Sequence, residues 1–325
     1  MLRTKGVQVM LADSDMPGSA SRVAAGIINP VTGKRFVKSW RLDDFFPAAQ
    51  RHYQALETEL QVKIWEKRPI LRLLTPGEEA NNWSTRCALP EYESLLSEAI
   101  HAGAWSPLLK PGFKFGAIQG AARVNFPKLL AAFRAQALAA GQVLEKTVAY
   151  EDTENLLKQF DRVVFCEGYR AQHNPFFPAL SWQLAKGEAL LIRFQDARAN
   201  YITDMLKKSN LVAPLGEGLF WAGGSYQWDY PNLEPTPGER DYILMRLNEI
   251  LEAPFAVISH AAGIRPTVKD RRPFLGESVL LSNVFMFNGI GTKGALLAPF
   301  WAEHLAEHLV AGTPIDPEVW VGRMY

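Results

Sequence analysis

Apolar and polar residues alternate along VQVMLAD (residues 7–13), and the run closes on an acid. That spacing predicts a strand with Asp13 at its carboxyl end. From Leu42 to Leu60 the apolar residues recur at helical spacing. RPILRLL (68–74) predicts a strand, and PEYESLLSEAIHAG (90–103) predicts a helix stopped by Gly103. Strands around tight turns are expected over residues 109–124. NFPKLLAAFRAQALAAG (125–141) carries the plainest helix pattern: Asn125 suits the cap, Pro127 the first turn and Gly141 the end. VLEKTVAYED (143–152) and DRVVFCEG (161–168) predict strands, the second short and ended by Gly168. KGEALLIRF (186–194), NLVAPL (210–215) and LFWAGGSYQW (219–228) predict strands of a more open sheet, and GERDYILMRLNEILEA (238–253) a helix. FAVISHAAGIRPTVKDRRPFLG (255–276) is strand-like with a loop, and NVFMF then leads through glycines into a closing helix. The order is α/β, with a β-rich block between stretches of βα type.

A chain of 325 residues is long for one core and suggests two domains or an interleaved pair. The 48% hydrophobic and 21% charged content are those of a globular protein, and the net charge of +1 gives no nucleic-acid signal. No apolar run approaches the roughly 20 residues of a membrane span, and the first residues are too weakly apolar for a signal peptide. Cys87 and Cys166 lie far apart with no metal-ligand spacing, so two reduced, buried thiols and a cytoplasmic location are expected. No metal site is expected. His173 and His260 stand alone and read as structural.

FNGIGTKG adds chemistry to the pattern. Gly289, Gly291 and Gly294 spell G-x-G-x-x-G between a strand and a helix. Asp316 lies at about the distance of a ribose-binding acid, but too little chain follows it to complete a first mononucleotide half, so that role is rejected. What survives is backbone that a ligand can approach closely, at a helix start that favours an electron-rich atom.

VQVMLAD, SASRVAAGIINP, CEGYRA, GIRPTVKDRRPFLG and FNGIGTKGALLAPFWAEHL follow the order seen in FAD-dependent amine oxidoreductases of the glycine oxidase and D-amino acid oxidase type, which this chain resembles. The C-terminal domain of the bifunctional tRNA methylaminomethyl-uridine enzyme belongs with them. The family pattern also has a GxGxxG before the acidic strand, and this sequence lacks it. The resemblance therefore implies an α/β fold: an N-terminally truncated FAD-binding Rossmann-like domain (1–45, 118–182 and 256–325) interleaved with a mainly antiparallel β substrate domain (46–117 and 183–255).

The resemblance also implies roles. Asp13 would bind the adenosine ribose, and Val148 would lie near the adenine. Ser21, Arg22, Ala25 and Gly26 would lie along the pyrophosphate and flavin, with Gly168 letting its strand pass close to the cofactor. Gly289, Ile290, Gly291, Thr292, Lys293 and Gly294 would offer backbone N–H groups to the flavin's pyrimidine carbonyl. Arg265 would hold a substrate carboxylate, unless it forms an ion pair with Asp270, and Tyr226 would add its hydroxyl. No residue is assigned as catalytic, because hydride loss from a neutral amine to flavin needs orientation more than acid–base groups. The expected partners are a small amine or amino acid and oxygen or another electron acceptor; homo-oligomerisation is left open. Two other readings stand beside this one: a truncated remnant that binds FAD poorly, and a tRNA wobble-uridine side-chain oxidoreductase.

Overall fold

The computed structural model describes residues 1–14 and 19–325. Among the described residues the fold is mixed α/β and is dominated by one eight-stranded sheet. Its strand order is Phe255–Arg265, Ala185–Phe194, Leu219–Gly223, Leu211–Gly216, Met205–Lys207, Ile70–Leu74, Lys114–Ile118 and Leu96–Ala99. Every neighbouring pair is antiparallel except Met205–Lys207 with Ile70–Leu74. Smaller parallel pairings join Leu11–Ala12 to Val143–Leu144 and Val163–Phe165 to Val284–Asn288.

The strands form where branched and aromatic residues fill a pleated, buried surface. Along Ala185–Phe194 the side chains alternate between two faces. Gly187 pairs with Gly263 on one face, while Lys186, Glu188 and Leu190 pair with Ile264, Ala262 and His260 on the other. The first face meets the short helix Ala20–Val23: a Cβ on Gly263 would lie 3.1 Å from Ala20 Cα. The second face closes over a core that includes Leu190, Ile192, Phe220 and, from the helix Pro237–Asn248, Ile243 and Leu247.

Two long helices build a separate core with the smaller sheets, against Ile28, Ala122, Val124, Leu275 and Phe285. Leu42–Leu60 buries Phe45, Ala49 and Tyr53, and Gly294–Ala311 buries Leu297, Trp301 and Leu305. The two helices pack together, and Tyr53 Oη donates to the Ala295 carbonyl at 3.0 Å. Phe126–Ala139 forms as its ends predict: Asn125 Oδ1 accepts the Lys128 N–H at 3.2 Å, and Gly141 follows at φ 66°. Arg3–Lys5 makes one helical turn stopped by Gly6 in the left-handed region.

Four expectations are corrected. Residues 90–103 are not a helix; Leu96–Ala99 is a strand on the edge of Lys114–Ile118. Only Leu96 of that strand is fully buried, so hydrogen bonding to a waiting sheet edge outweighs the helical spacing. Among the described residues, VQVMLAD pairs only through Leu11–Ala12, and VLEKTVAYED only through Val143–Leu144 before a 3-10 turn at Tyr150–Asp152. Val7 and Met10 are exposed, so alternation there marks no buried face. The two thiols are free but not buried: Cys87 is half-buried, and Cys166 is exposed where Val163–Phe165 gives way to the Gly168 turn.

Candidate active site

Three segments converge beside the carboxyl end of Phe255–Arg265. Ser19 bridges to Ile264, which brings the Ala20–Val23 turn against the sheet. Trp221 Nε1 donates to the Val23 carbonyl at 2.8 Å and fixes the turn from Leu219–Gly223, two strands away in the sheet. Gly26 follows at φ 72°, its carbonyl accepting the Val124 N–H at 2.8 Å. A Cβ there would fall 1.9 Å from Val124 O, so position 26 must be glycine for the backbones to meet. Ala25 and Gly26 are buried, whereas Ser21 and Arg22 are exposed.

The late glycine loop joins the same place through the backbone, with Gly291 N–H donating to the Pro266 carbonyl at 3.2 Å. Gly289 (φ 74°) turns the chain against Phe274 and Val268, where a Cβ would press at 3.2 Å. Ile290 packs into the core under the closing helix. Gly291 (φ 59°), Thr292 and Lys293 form a 3-10 turn, and Gly294 begins the helix, whose amino end has no side-chain cap. Lys293 Nζ donates to Ser39 Oγ at 3.0 Å; burial lowers its pKa, and nearby Arg271 and Arg272 lower it further. Asn288, missed by the sequence reading, is buried and ties two loops together. Its amide nitrogen donates to the Gly168 carbonyl at 2.9 Å, while its amide oxygen accepts the Gly289 N–H at 2.9 Å.

Arg265 lies across the front face of the sheet. Its Nη1 donates to the Lys186 carbonyl at 3.3 Å, and its guanidinium carbon lies 5.2 Å from the centre of the Tyr226 ring. Among the described residues no carboxylate pairs with it, and Asp270 is engaged by Arg323 at 3.0 Å instead. Burial lowers the Arg265 pKa, and the Tyr226 hydroxyl opposes the shift. Two glycines absent from the sequence reading make room: a Cβ on Gly187 would lie 2.0 Å from Arg265 Nη2, and one on Gly224 3.0 Å from it. Tyr226 is itself exposed and meets Trp228 edge-on at 4.9 Å between ring centres.

Asp13 and Val148 lie apart from this convergence, past the paired strands Leu11–Ala12 and Val143–Leu144. Asp13 Oδ2 accepts from Arg134 Nη1 at 2.5 Å, and Arg134 Nη2 also reaches Glu145. Val148 is half-buried, and Gly168 turns at φ 62° with open space where a Cβ would stand. His173 is exposed, and His260 faces the back of the sheet.

A family model described as FAD dependent oxidoreductase (DAO) matches residues 1–308. The chain belongs to that family. It is 24% identical to a glycine oxidase of Pseudomonas aeruginosa over 347 residues, which span 97% of this chain and 92% of the relative. Its fold matches an iminodiacetate oxidase from Chelativorans sp. BNC1 at a TM-score of 0.75 and 18% identity, over 98% of this chain and 93% of that one. A glycine oxidase from Geobacillus kaustophilus gives 0.74 and 21%, over 95% and 90%. FAD is the family's cofactor, and no described helix is long and apolar enough to cross a membrane. The donor set fits a flavin: an uncapped helix start beside a lysine, and an open glycine turn at Gly168 tied to it through Asn288.

Proposed function

We propose that this FAD-dependent oxidoreductase oxidises a small amino acid or secondary amine that carries a carboxylate. The observation that carries the reading is Arg265: a guanidinium in a glycine-lined recess, without a protein carboxylate among the described residues, next to backbone that hydrogen-bonds the Gly291 loop. A planar guanidinium binds a carboxylate through two parallel hydrogen bonds. Arg265 then fixes the substrate's acid end, and Tyr226 donates its hydroxyl to the same group.

The remaining residues hold the cofactor. Backbone N–H groups of Thr292, Lys293 and Gly294, with the Lys293 ammonium, would hold the pyrimidine carbonyl end of the flavin and favour negative charge there. Gly289, Ile290 and Gly291 shape that loop. Ser21, Arg22, Ala25 and Gly26 run along the pyrophosphate and flavin, and Gly168 admits the cofactor from the other side. Asp13 serves the ribose; a carboxylate has lone pairs enough for both Arg134 and a hydroxyl. Val148 borders the adenine. FAD would supply the hydride acceptor there, so that loss of hydride from the α-carbon would leave an iminium that gives up its N–H proton to water to become the imine. The protein supplies alignment and exclusion of water, and the amine reacts in its neutral form, with its lone pair free. Oxygen or another acceptor would take up the electrons.

Anaerobic titration of the FAD-loaded protein tests this. Small amino acids should bleach the flavin absorbance, while the matching amines lacking a carboxylate should do so with a KM at least about tenfold higher. Equal efficiency with and without the carboxylate, or no bleaching by any small amino acid or secondary amine, refutes the assignment.

A further inference from the structure

Behind Arg265, on the opposite face of the sheet and on the neighbouring strand Ala185–Phe194, lies an ion pair that the proposed reaction does not itself employ. Lys186 Nζ and Glu188 Oε1 are 2.8 Å apart, and both side chains are 0% exposed. Each reaches one returning limb of chain. Lys186 Nζ donates to the Glu234 carbonyl. The Glu188 carboxylate accepts the Thr236 N–H at 2.9 Å and the Thr236 hydroxyl at 3.1 Å. Thr236 is the residue before the helix Pro237–Asn248, so the carboxylate also meets the positive end of that helix. His260 Nε2 approaches Glu188 Oε2 to 2.8 Å, off the line of a hydrogen bond.

The outgoing limb is held by the backbone of the same two residues. Lys186 and Gln227 exchange N–H to carbonyl bonds, each 2.9 Å long. Ser225 N–H donates to the Glu188 carbonyl at 3.1 Å, and Ser225 Oγ accepts the Glu188 N–H at 3.0 Å. The chain from Ser225 to Thr236 is therefore fastened at both ends to Lys186 and Glu188, and between the fastenings it carries Tyr226, Trp228 and Tyr230. The Tyr226 ring lies over Arg265 on the front of the sheet, while Thr236 reaches Glu188 on the back.

We propose that the buried Lys186–Glu188 pair is the anchor of a substrate loop, Ser225–Thr236, and that these two residues are positioning residues for substrate binding. A buried ion pair adds little net stability over apolar residues of the same size, because desolvation offsets the attraction. What the pair provides that leucine and methionine do not is a set of directed bonds to Glu234 and Thr236. The backbone bonds of Ser225 and Gln227 hold Tyr226 at the near end of the loop, and the side-chain pair fixes its far end at Glu234 and Thr236, so the loop that carries Tyr226 is closed from both sides. The effect on substrate rests on the reading of Arg265 and Tyr226 given above; the effect on the loop does not.

Hydrogen–deuterium exchange of the FAD-loaded protein separates the two. Thr236→Val removes one bond of the anchor and keeps the backbone N–H. Lys186→Met with Glu188→Leu removes the anchor while keeping the volume apolar. Amide exchange over residues 226–234 should rise about threefold in the first variant and tenfold or more in the second, in proportion to the bonds lost. Exchange in Leu211–Gly216 should stay as in the parent. KM for a carboxylate-bearing substrate should rise in the same order with kcat held within about twofold. Unchanged exchange in the loop overturns the proposal, and so does a rise shared equally by Leu211–Gly216, which would make the pair a general part of the core. Faster loop exchange with an unchanged KM upholds the anchor and refutes the substrate reading. If the double variant does not fold, Thr236→Val decides by the same criteria.

Discussion

Gly187→Ala should disable substrate binding without loosening the fold. The added methyl would stand 2.0 Å from Arg265 Nη2 and 2.2 Å from its guanidinium carbon. Ordinary contact needs about 3.5 Å, so the guanidinium must retreat by roughly 1.5 Å. A hydrogen bond of about 2.9 Å does not survive such a shift, and both bonds of a bidentate pair are lost together. Charge-assisted bonds contribute about 1.5–3 kcal/mol, so KM for a carboxylate substrate should rise roughly 10- to 150-fold. Stability should hardly change, because the clash is with the far end of a flexible side chain and alanine is the better strand residue by about 0.5–1 kcal/mol. Gly116→Ala is the control. There the methyl would fall 2.2 Å from the ring of Trp83, which is 1% exposed and wedged in the core. Overpacking of that kind costs about 1–3 kcal/mol and should appear as a lower Tm with KM unaltered in whatever folds. Steady-state kinetics and thermal melts on both variants make the comparison. An unchanged KM in Gly187→Ala, or an equal rise for amines without a carboxylate, would show that Arg265 does not hold the acid group.

Other outcomes follow from the same contacts. Arg265→Lys keeps a charge but not the planar fork, and KM should rise by about tenfold or more in steady-state assays. Asn288→Ala removes the link between Gly168 and Gly289, so FAD should be released more readily, with Kd about 5- to 30-fold higher by fluorescence titration. Burial works to raise the Glu79 pKa, but Lys208, the Thr75 N–H and Arg72 together hold it at about 2 against a usual 4.5. That carboxylate therefore stabilises the fold fully above pH 4.5 and progressively less as pH falls towards 2. Melts of Glu79→Gln against the parent should differ at neutral pH and converge near pH 2; a difference independent of pH would refute the assignment.

Much of the architecture was legible because period and punctuation agree. Asn125, Pro127 and Gly141 mark a helix that forms between them, and KGEALLIRF reads as a strand in any context. The failures fall where local pattern and tertiary pairing compete. Leu96–Ala99 takes an available sheet edge, and most of VQVMLAD finds no strand partner among the described residues. The site was legible through its loops: the sequence points to Arg265 and to Gly291, and the Gly291–Pro266 bond joins their segments. Gly187 and Gly224 were not, since a glycine in a strand does not say which side chain needs its space. Lys186 and Glu188 did leave a signal. Opposite charges two apart in an otherwise apolar strand share one face, and Leu190 and Ile192 mark that face as buried. Charges in such a place need partners, and the partners are found on the loop.

The strand Ala185–Phe194 thereby ties the candidate site together through its alternation. Odd positions near its start are small because the guanidinium lies across them; even positions are charged because a loop must be caught from behind. The two demands meet in the backbone of Lys186, whose carbonyl accepts both from Gln227 and from Arg265. A shift of this strand by one residue would put Lys186 under the guanidinium and Gly187 into the core, and neither the recess nor the anchor would survive. Register in this pair is thus fixed at once by the charged anchor on the back and by the room the small residues leave for Arg265 on the front. That is why the long antiparallel pairing with Phe255–Arg265 stays regular from Ala185 to Leu191 and tolerates its irregularity only beyond Leu191, away from Arg265.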